Sequence, residues 1–140
     1  MHTTILAFAA GAALLAAVPA MAKDFSPEDI IHRHMAFGAK NDAAGMAGDY
    51  ADDAVIMTAG QIVHGKAAIR ASVERMLGPK GTPAKQDFRA VKITSDGDVG
   101  MVFWEVPKGP YGEDTFLVRH GKILVQAVFM GATPAAPGKR

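Results

Sequence analysis

A chain of 140 residues with 49% apolar content, mean hydropathy +0.11 and formal net charge +1 has room for one domain around one core, and none for a second catalytic domain. The near-zero charge gives no electrostatic case for a nucleic-acid or anionic-membrane partner. The absence of cysteine removes disulfides, thiolate metal sites and a cysteine nucleophile.

The apolar excess sits at one end: residues 1–22 contain no Asp, Glu, Lys or Arg, so all 15 basic and 14 acidic residues fall in 23–140, where the composition is that of an ordinary soluble domain. Ile5 to Val18 is an almost unbroken apolar run, shorter than the roughly 20 residues that span a bilayer. Pro19 breaks it, and Ala20-Met21-Ala22 supplies a small-x-small pattern before the first charge, Lys23. This is the outline of a secretory signal peptide cleaved after Ala22, although Met1-His2-Thr3-Thr4 lacks the usual Lys or Arg. The expected mature chain is periplasmic or secreted, with no membrane attachment once the signal is removed. It divides into a domain at 23–131 and a loose tail at 132–140, which has nothing to bury.

Ser26-Pro27-Glu28-Asp29 reads as a helix start, with Ser as cap, Pro in the first turn and acids at the positive dipole end. Ile30, His34 and Phe37 follow at i, i+4, i+7, so the histidine lies inside an apolar stripe. Asn41-Asp42 begins a short second helix that carries Met46 and Tyr50 inward. Ala54 to Thr58 reads as a strand, Ala59-Gly60 as a turn and Gln61 to His64 as a short return strand. Lys66 to Leu77 forms a third helix, with Ile69, Val73, Met76 and Leu77 on one face and Arg70 and Glu74 paired outside. Beyond Gly78-Pro79-Lys80-Gly81-Thr82-Pro83 no helical period survives. Strands are expected over Lys85–Thr94, Val99–Val106, Tyr111–His120 and Ile123–Met130, joined by turns at Ser95-Asp96-Gly97-Asp98, Pro107-Lys108-Gly109-Pro110 and Gly121-Lys122. Helices first and an antiparallel meander last imply an α+β fold with the first helix lying across a curved sheet.

Several chemistries are absent by inspection: the chain has no G-x-S-x-G, H-E-x-x-H, G-x-G-x-x-G or G-K-[ST] motif. Gly78 to Thr82 follows a helix instead of opening one, and reads as a surface loop, not a phosphate cradle. His32 and His34 are two apart on a helix and diverge too far to share a metal.

Asp49-Tyr50-Ala51-Asp52-Asp53-Ala54-Val55, followed by Gly65-Lys66-Ala67-Ala68-Ile69-Arg70, resembles the signature of the nuclear transport factor 2-like superfamily, particularly its SnoaL-like and ketosteroid-isomerase-like bacterial branches. Glu113-Asp114-Thr115-Phe116 and Gly121-Lys122-Ile123 match the family's last hairpin, and the resemblance runs from about Pro27 to Met130. It implies a cone, in which a strongly bent antiparallel sheet wraps round the long N-terminal helix and a pocket opens at the wide end. Homodimerisation through the outer face of the sheet is also implied. The superfold hosts isomerases, cyclases, dehydratases, hydrolases and non-catalytic binding domains.

Laid along this chain, the isomerase pattern puts the base column on Thr58, which cannot serve as a base. The oxyanion Tyr column falls on His34 and the oxyanion Asp column on Asp114. Ketosteroid isomerisation proper is therefore disfavoured. His34 and Asp114 are the two ionisable groups the resemblance places inside the cone, and if they touch they form an acid/base dyad that needs neither metal nor cofactor. Strand alternation puts Phe116 and Val118 on the face of Asp114, and Leu124, Gln126, Val128 and Met130 on one face of the last strand. Gln126 is then a polar group on an apolar wall. Trp104 lies on a strand apolar on both faces, so it serves either as a pocket platform or as dimer-face packing. Thr58, Trp104, Phe116, Gln126, Val128 and Met130 are the expected pocket residues, and Met57 and Met130 are suited to an adaptable wall. The expected ligand is a small, mainly apolar molecule bearing one or two oxygens. The two readings are cofactor-free isomerase, dehydratase or cyclase chemistry, and a non-catalytic binding or dimerisation module in which His34 and Asp114 satisfy each other.

Overall fold

A computed structural model describes residues 25–80, 82 and 87–131; the expected signal peptide and the tail at 132–140 lie outside the described residues. The helices are α1 (Pro27–Ala39), α2 (Ala43–Gly48) and α3 (Lys66–Leu77), and the strands are β1 (Tyr50–Met57), β2 (Ile62–His64), β3 (Arg89–Asp96), β4 (Val99–Glu105), β5 (Tyr111–Arg119) and β6 (Lys122–Gly131). The fold is α+β, with one strongly curled six-stranded sheet in the order β2-β1-β6-β5-β4-β3. Every neighbouring pair is antiparallel except β1 with β6. That parallel exception to the expected antiparallel sheet arises because the first strand returns beside the last after a crossover through helix and meander.

Local chemistry accounts for most boundaries. The Ser26 hydroxyl accepts from the Asp29 amide at 3.1 Å while the Asp29 carboxylate accepts from the Ser26 amide at 3.1 Å, a reciprocal cap that satisfies two orphan donors. Asp42 caps α2 by accepting from the Gly45 amide at 3.0 Å. Gly65 and Gly78 bracket α3 with positive φ, which costs a glycine little. Arg70 pairs with Glu74 on its outer face at 2.8 Å.

Two expectations on the strands need correcting. β1 begins at Tyr50, four residues before the expected Ala54, because the pairing with β6 jumps from Tyr50↔Ile123 to Val55↔Val125. The intervening Asp52 and Asp53 stay exposed, so the segment lacks the alternation that marks a strand. In β6, a bulge between the pairs Leu117↔Val125 and Val118↔Ile123 makes Leu124 the extra residue. The inward row therefore continues through the fully buried Ile123, and Leu124 leaves the face it was expected to share with Gln126. Such bulges also bend the sheet.

α1 lies across the concave side, over β3, β4 and β5. Ile30 and Ile31 are fully buried there with Val102, Phe116 and Val118, while Ile69, Val73 and Leu77 of α3 close the other end of the core. Each fully buried Ile or Phe contributes about 1.5–3 kcal/mol. Gly112 matters because its neighbour is the Trp104 ring: a Cβ there would stand 2.3 Å from the indole and 2.4 Å from the Phe129 carbonyl oxygen. Gly48 has open space at the same position. Gly112→Ala is expected to cost about 1–3 kcal/mol by overpacking, whereas Gly48→Ala is neutral or slightly stabilising. Urea unfolding of the two variants checks this, and equal stabilities would show that β5 yields freely beneath Trp104.

Candidate functional site

The curl of the sheet and the three helices enclose a cavity of about 450 Å³. His34 and Met35 enter from α1, Tyr50 and Ile56 from β1, and Val73, Met76 and Leu77 from α3. The sheet adds Trp104, Asp114, Gln126, Val128 and Met130. Thr58, Met76 and Met130 are exposed as well as lining the space, so the opening lies at their end.

Two polar clusters face this mostly apolar wall. In the first, His34 is 2% exposed and its Nδ1 stands 3.3 Å from Oδ2 of Asp49, itself 2% exposed. The other Asp49 oxygen, Oδ1, accepts from Arg33 Nε at 2.7 Å and Nη2 at 2.6 Å. The imidazole packs edge-on against Tyr50 and Phe116, with ring centroids 5.5 and 5.7 Å away. Its Nε2 has no hydrogen bond to another described residue.

In the second cluster, Asp114 Oδ1 accepts from Trp104 Nε1 at 3.0 Å and Oδ2 accepts from Gln126 Nε2 at 2.8 Å. The Gln126 oxygen accepts in turn from the Tyr50 hydroxyl. Burial drives the Asp114 carboxyl above its ordinary value, against the opposing pull of the Trp104 and Gln126 hydrogen bonds and of His34. Tyr50 is also pushed upward, first by burial and then by the carboxylates of Asp114 and Asp49, so it acts as a neutral donor.

The cavity brings together His34, Asp114, Thr58, Trp104, Gln126, Val128 and Met130. His34 and Asp114 share it without a hydrogen bond between them, each being held by a different set of partners. Trp104, whose parity the sequence leaves open, is on the concave side, 4% exposed and edge-on to Phe88 at 5.1 Å. Thr58 is at the rim, where its hydroxyl accepts from the Gln61 amide at 3.1 Å. Phe116 is a correction: it shares the face of Asp114 but is fully buried beneath the His34 ring, in the core instead of the cavity wall. Met57 is another, since alternation sends it to the outer face beside Thr115 and Phe129. His32 points to solvent, 3.7 Å from Glu28.

Asp49 and Arg33 are the residues that sequence reasoning missed. Asp49 precedes the first inward strand residue, where no period marks it, and Arg33 resembles any solvated helix cation. The available signal was a carboxylate next to a buried tyrosine in a segment whose other acids are exposed.

The SnoaL-like domain family matches residues 31–125. The chain belongs to this family. A comparison with curated proteins finds no match. Among solved structures, the SnoaL-like domain is similar to a nuclear transport factor 2-like protein of unknown function from Burkholderia xenovorans, at 19% identity and TM-score 0.66 over 79% of this chain and 87% of that one. It is similar to a candidate ketosteroid isomerase from Kribbella flavida, at 13% identity and TM-score 0.62 over 79% and 82% of the chains. A candidate SnoaL-like polyketide cyclase from Shewanella putrefaciens shares 12% identity and TM-score 0.60 over 74% and 78%. At these identities the likeness is one of fold.

Removing the Asp49 carboxylate strands Arg33 and His34 together. Asp49→Ala is expected to lower unfolding free energy by about 3 kcal/mol, read by urea titration; a loss under about 0.5 kcal/mol would mean that Arg33 swings freely into water. Asp114 gives the stability a pH dependence. The folded carboxyl holds its proton above the ordinary value of 3.8, so the folded state binds more protons in that window and stability falls as pH rises through it. The stability of wild type minus that of Asp114→Asn is therefore expected to decline with pH above about 3.8 and then level off. A difference that rises with pH would show that the hydrogen bonds to the ion outweigh burial.

Proposed function

We propose that this SnoaL-like domain binds a small, mainly apolar, oxygen-bearing molecule in its cavity and performs cofactor-free proton transfer on it. Isomerisation, dehydration and cyclisation share one step, removal of a proton beside a carbonyl as negative charge develops on oxygen. The observation that carries this reading is the placement of the His34 ring, held at Nδ1 by Asp49, on the same cavity as the upward-shifted Asp114 carboxyl. His34 Nε2 is the base. Asp114, positioned by Trp104 and Gln126, supplies the proton or hydrogen bond to the developing oxyanion. Thr58 at the rim offers no base, which speaks against ketosteroid isomerisation proper.

A non-catalytic binding module is the second reading, favoured by the near-complete burial of both His34 and Asp49. We further propose pairing of two chains through the outer sheet face, where Phe103 and Phe129 are exposed, and export directed by residues 1–22.

Trp104, the only tryptophan of the chain, reports occupancy of the cavity by its fluorescence. Tetralone, an apolar bicyclic ketone, supplies exchangeable α-protons. Wild type is expected to quench or shift Trp104 emission on tetralone binding and to speed α-deuteration in heavy water, followed by NMR. His34→Gln retains the binding and loses about a hundredfold or more of the exchange rate. Binding with equal exchange in both proteins would establish the binding module, and no change in Trp104 emission would overturn the cavity reading.

A further inference from the structure

Arg33, whose side chain is 34% exposed, meets the almost fully buried carboxylate of Asp49. We infer that Arg33 and Asp49 are positioning residues which together fix the tautomer of His34, keeping the hydrogen on Nδ1 and the lone pair of Nε2 on the cavity. The inference rests on the proposal that His34 is the base, and assigns what makes it one.

The argument is one of donors and acceptors. Arg33 is donor-only and both of its ion-pair contacts fall on Oδ1 of Asp49, so that oxygen is committed. Oδ2 remains to face His34 Nδ1 at 3.3 Å. An ionised carboxylate has only lone pairs to offer, so Nδ1 must carry the hydrogen, and a neutral ring then leaves Nε2 unprotonated. Asp49 has a third tie that holds its backbone: the Ile123 amide donates to the Asp49 carbonyl at 2.8 Å. The relay is thus anchored on two sides, with Arg33 and His34 on α1 and Asp49 between them tied to β6 through Ile123.

Asp49→Asn exposes the logic, because an amide has one acceptor and one donor end. Arg33 must keep the acceptor oxygen, so the Asn NH2 turns toward His34 and Nδ1 has to accept. The ring is driven into the opposite tautomer, with the hydrogen on Nε2 and no base on the cavity, although every buried group still has a partner. A second change releases this constraint. In Arg33→Met with Asp49→Asn the amide is free to rotate, present its oxygen to Nδ1 and restore the original tautomer. A merely structural Asp49 predicts no such reversal, since the double variant has lost more contacts than the single one.

The test uses 15N-labelled imidazole shifts of His34, recorded with the ring neutral, in the full domain. Wild type is expected to show a protonated Nδ1 and a bare Nε2, Asp49→Asn the inverse, and the double variant a return toward wild type. Deuteration of tetralone should follow the same order, falling about a hundredfold in Asp49→Asn and recovering at least about tenfold in the double variant. The same tautomer in wild type and Asp49→Asn, or a double variant no different from Asp49→Asn, overturns the relay. A tautomer that switches and returns while wild type leaves tetralone unexchanged supports the relay and overturns the catalytic reading instead. If Asp49→Asn does not fold, the wild-type spectrum still decides: a hydrogen on Nε2 refutes the inference.

Discussion

The rest of this structure depends on one buried carboxylate. Asp49 lies between α1 and the start of β1 with 2% of its surface exposed, and a charge in that position is tolerable only when compensated and fully hydrogen-bonded. Consecutive residues on a helix point about 100° apart, yet Arg33 and His34 both reach Asp49. That requirement sets the rotation of α1 about its axis. With it set, Ile30 and Ile31 enter the core, with Ile31 and Pro27 crowding the backbone of Gly100, and His34 turns toward the cavity.

The second polar cluster is a different solution to the same problem. Asp114 has neutral donors, Trp104 and Gln126, where Asp49 has a guanidinium. A carboxyl held that way remains reluctant to ionise, which is why burial wins over its hydrogen bonds. One carboxylate is thus compensated and orients a histidine, while the other holds its proton more tightly than usual. A carboxyl that burial keeps protonated above its ordinary range is suited to donate a proton or hydrogen bond in acid/base chemistry. The close approach of Trp104 to Gly112 keeps the indole in line with Asp114, so a residue without a side chain helps place the donor.

Much of the fold was legible because local rules speak for themselves. The span of α3 is the expected Lys66–Leu77, since glycines flank a clean apolar stripe. The Ser26 cap, the turns at Gly97 and Gly121, and the alternation that puts Gln126, Val128 and Met130 on one face were equally readable, while the family resemblance implies that this face and Asp114 point inward. Where the chain departs from a regular period, reading failed. The start of β1 carries no strand pattern because Asp52 and Asp53 lie where its pairing with β6 is interrupted. Alternation groups Leu124 with Gln126 because a bulge cannot be seen in an alternating sequence.

The amino-acid sequence by itself determined the class of the domain, its element order and the face on which most candidate side chains lie, because capping, periodicity and turn chemistry act over a few residues. Tertiary structure alone decided depth and partnership. Phe116 and Asp114 share a face, but only the helix above them makes one core and the other cavity wall. His34 is 15 residues from Asp49 in the chain, and Asp114 meets partners on two other strands. Which acid holds the histidine is a matter of how α1 is turned over the sheet, a quantity fixed by the compensation of a buried charge and carried by no local pattern.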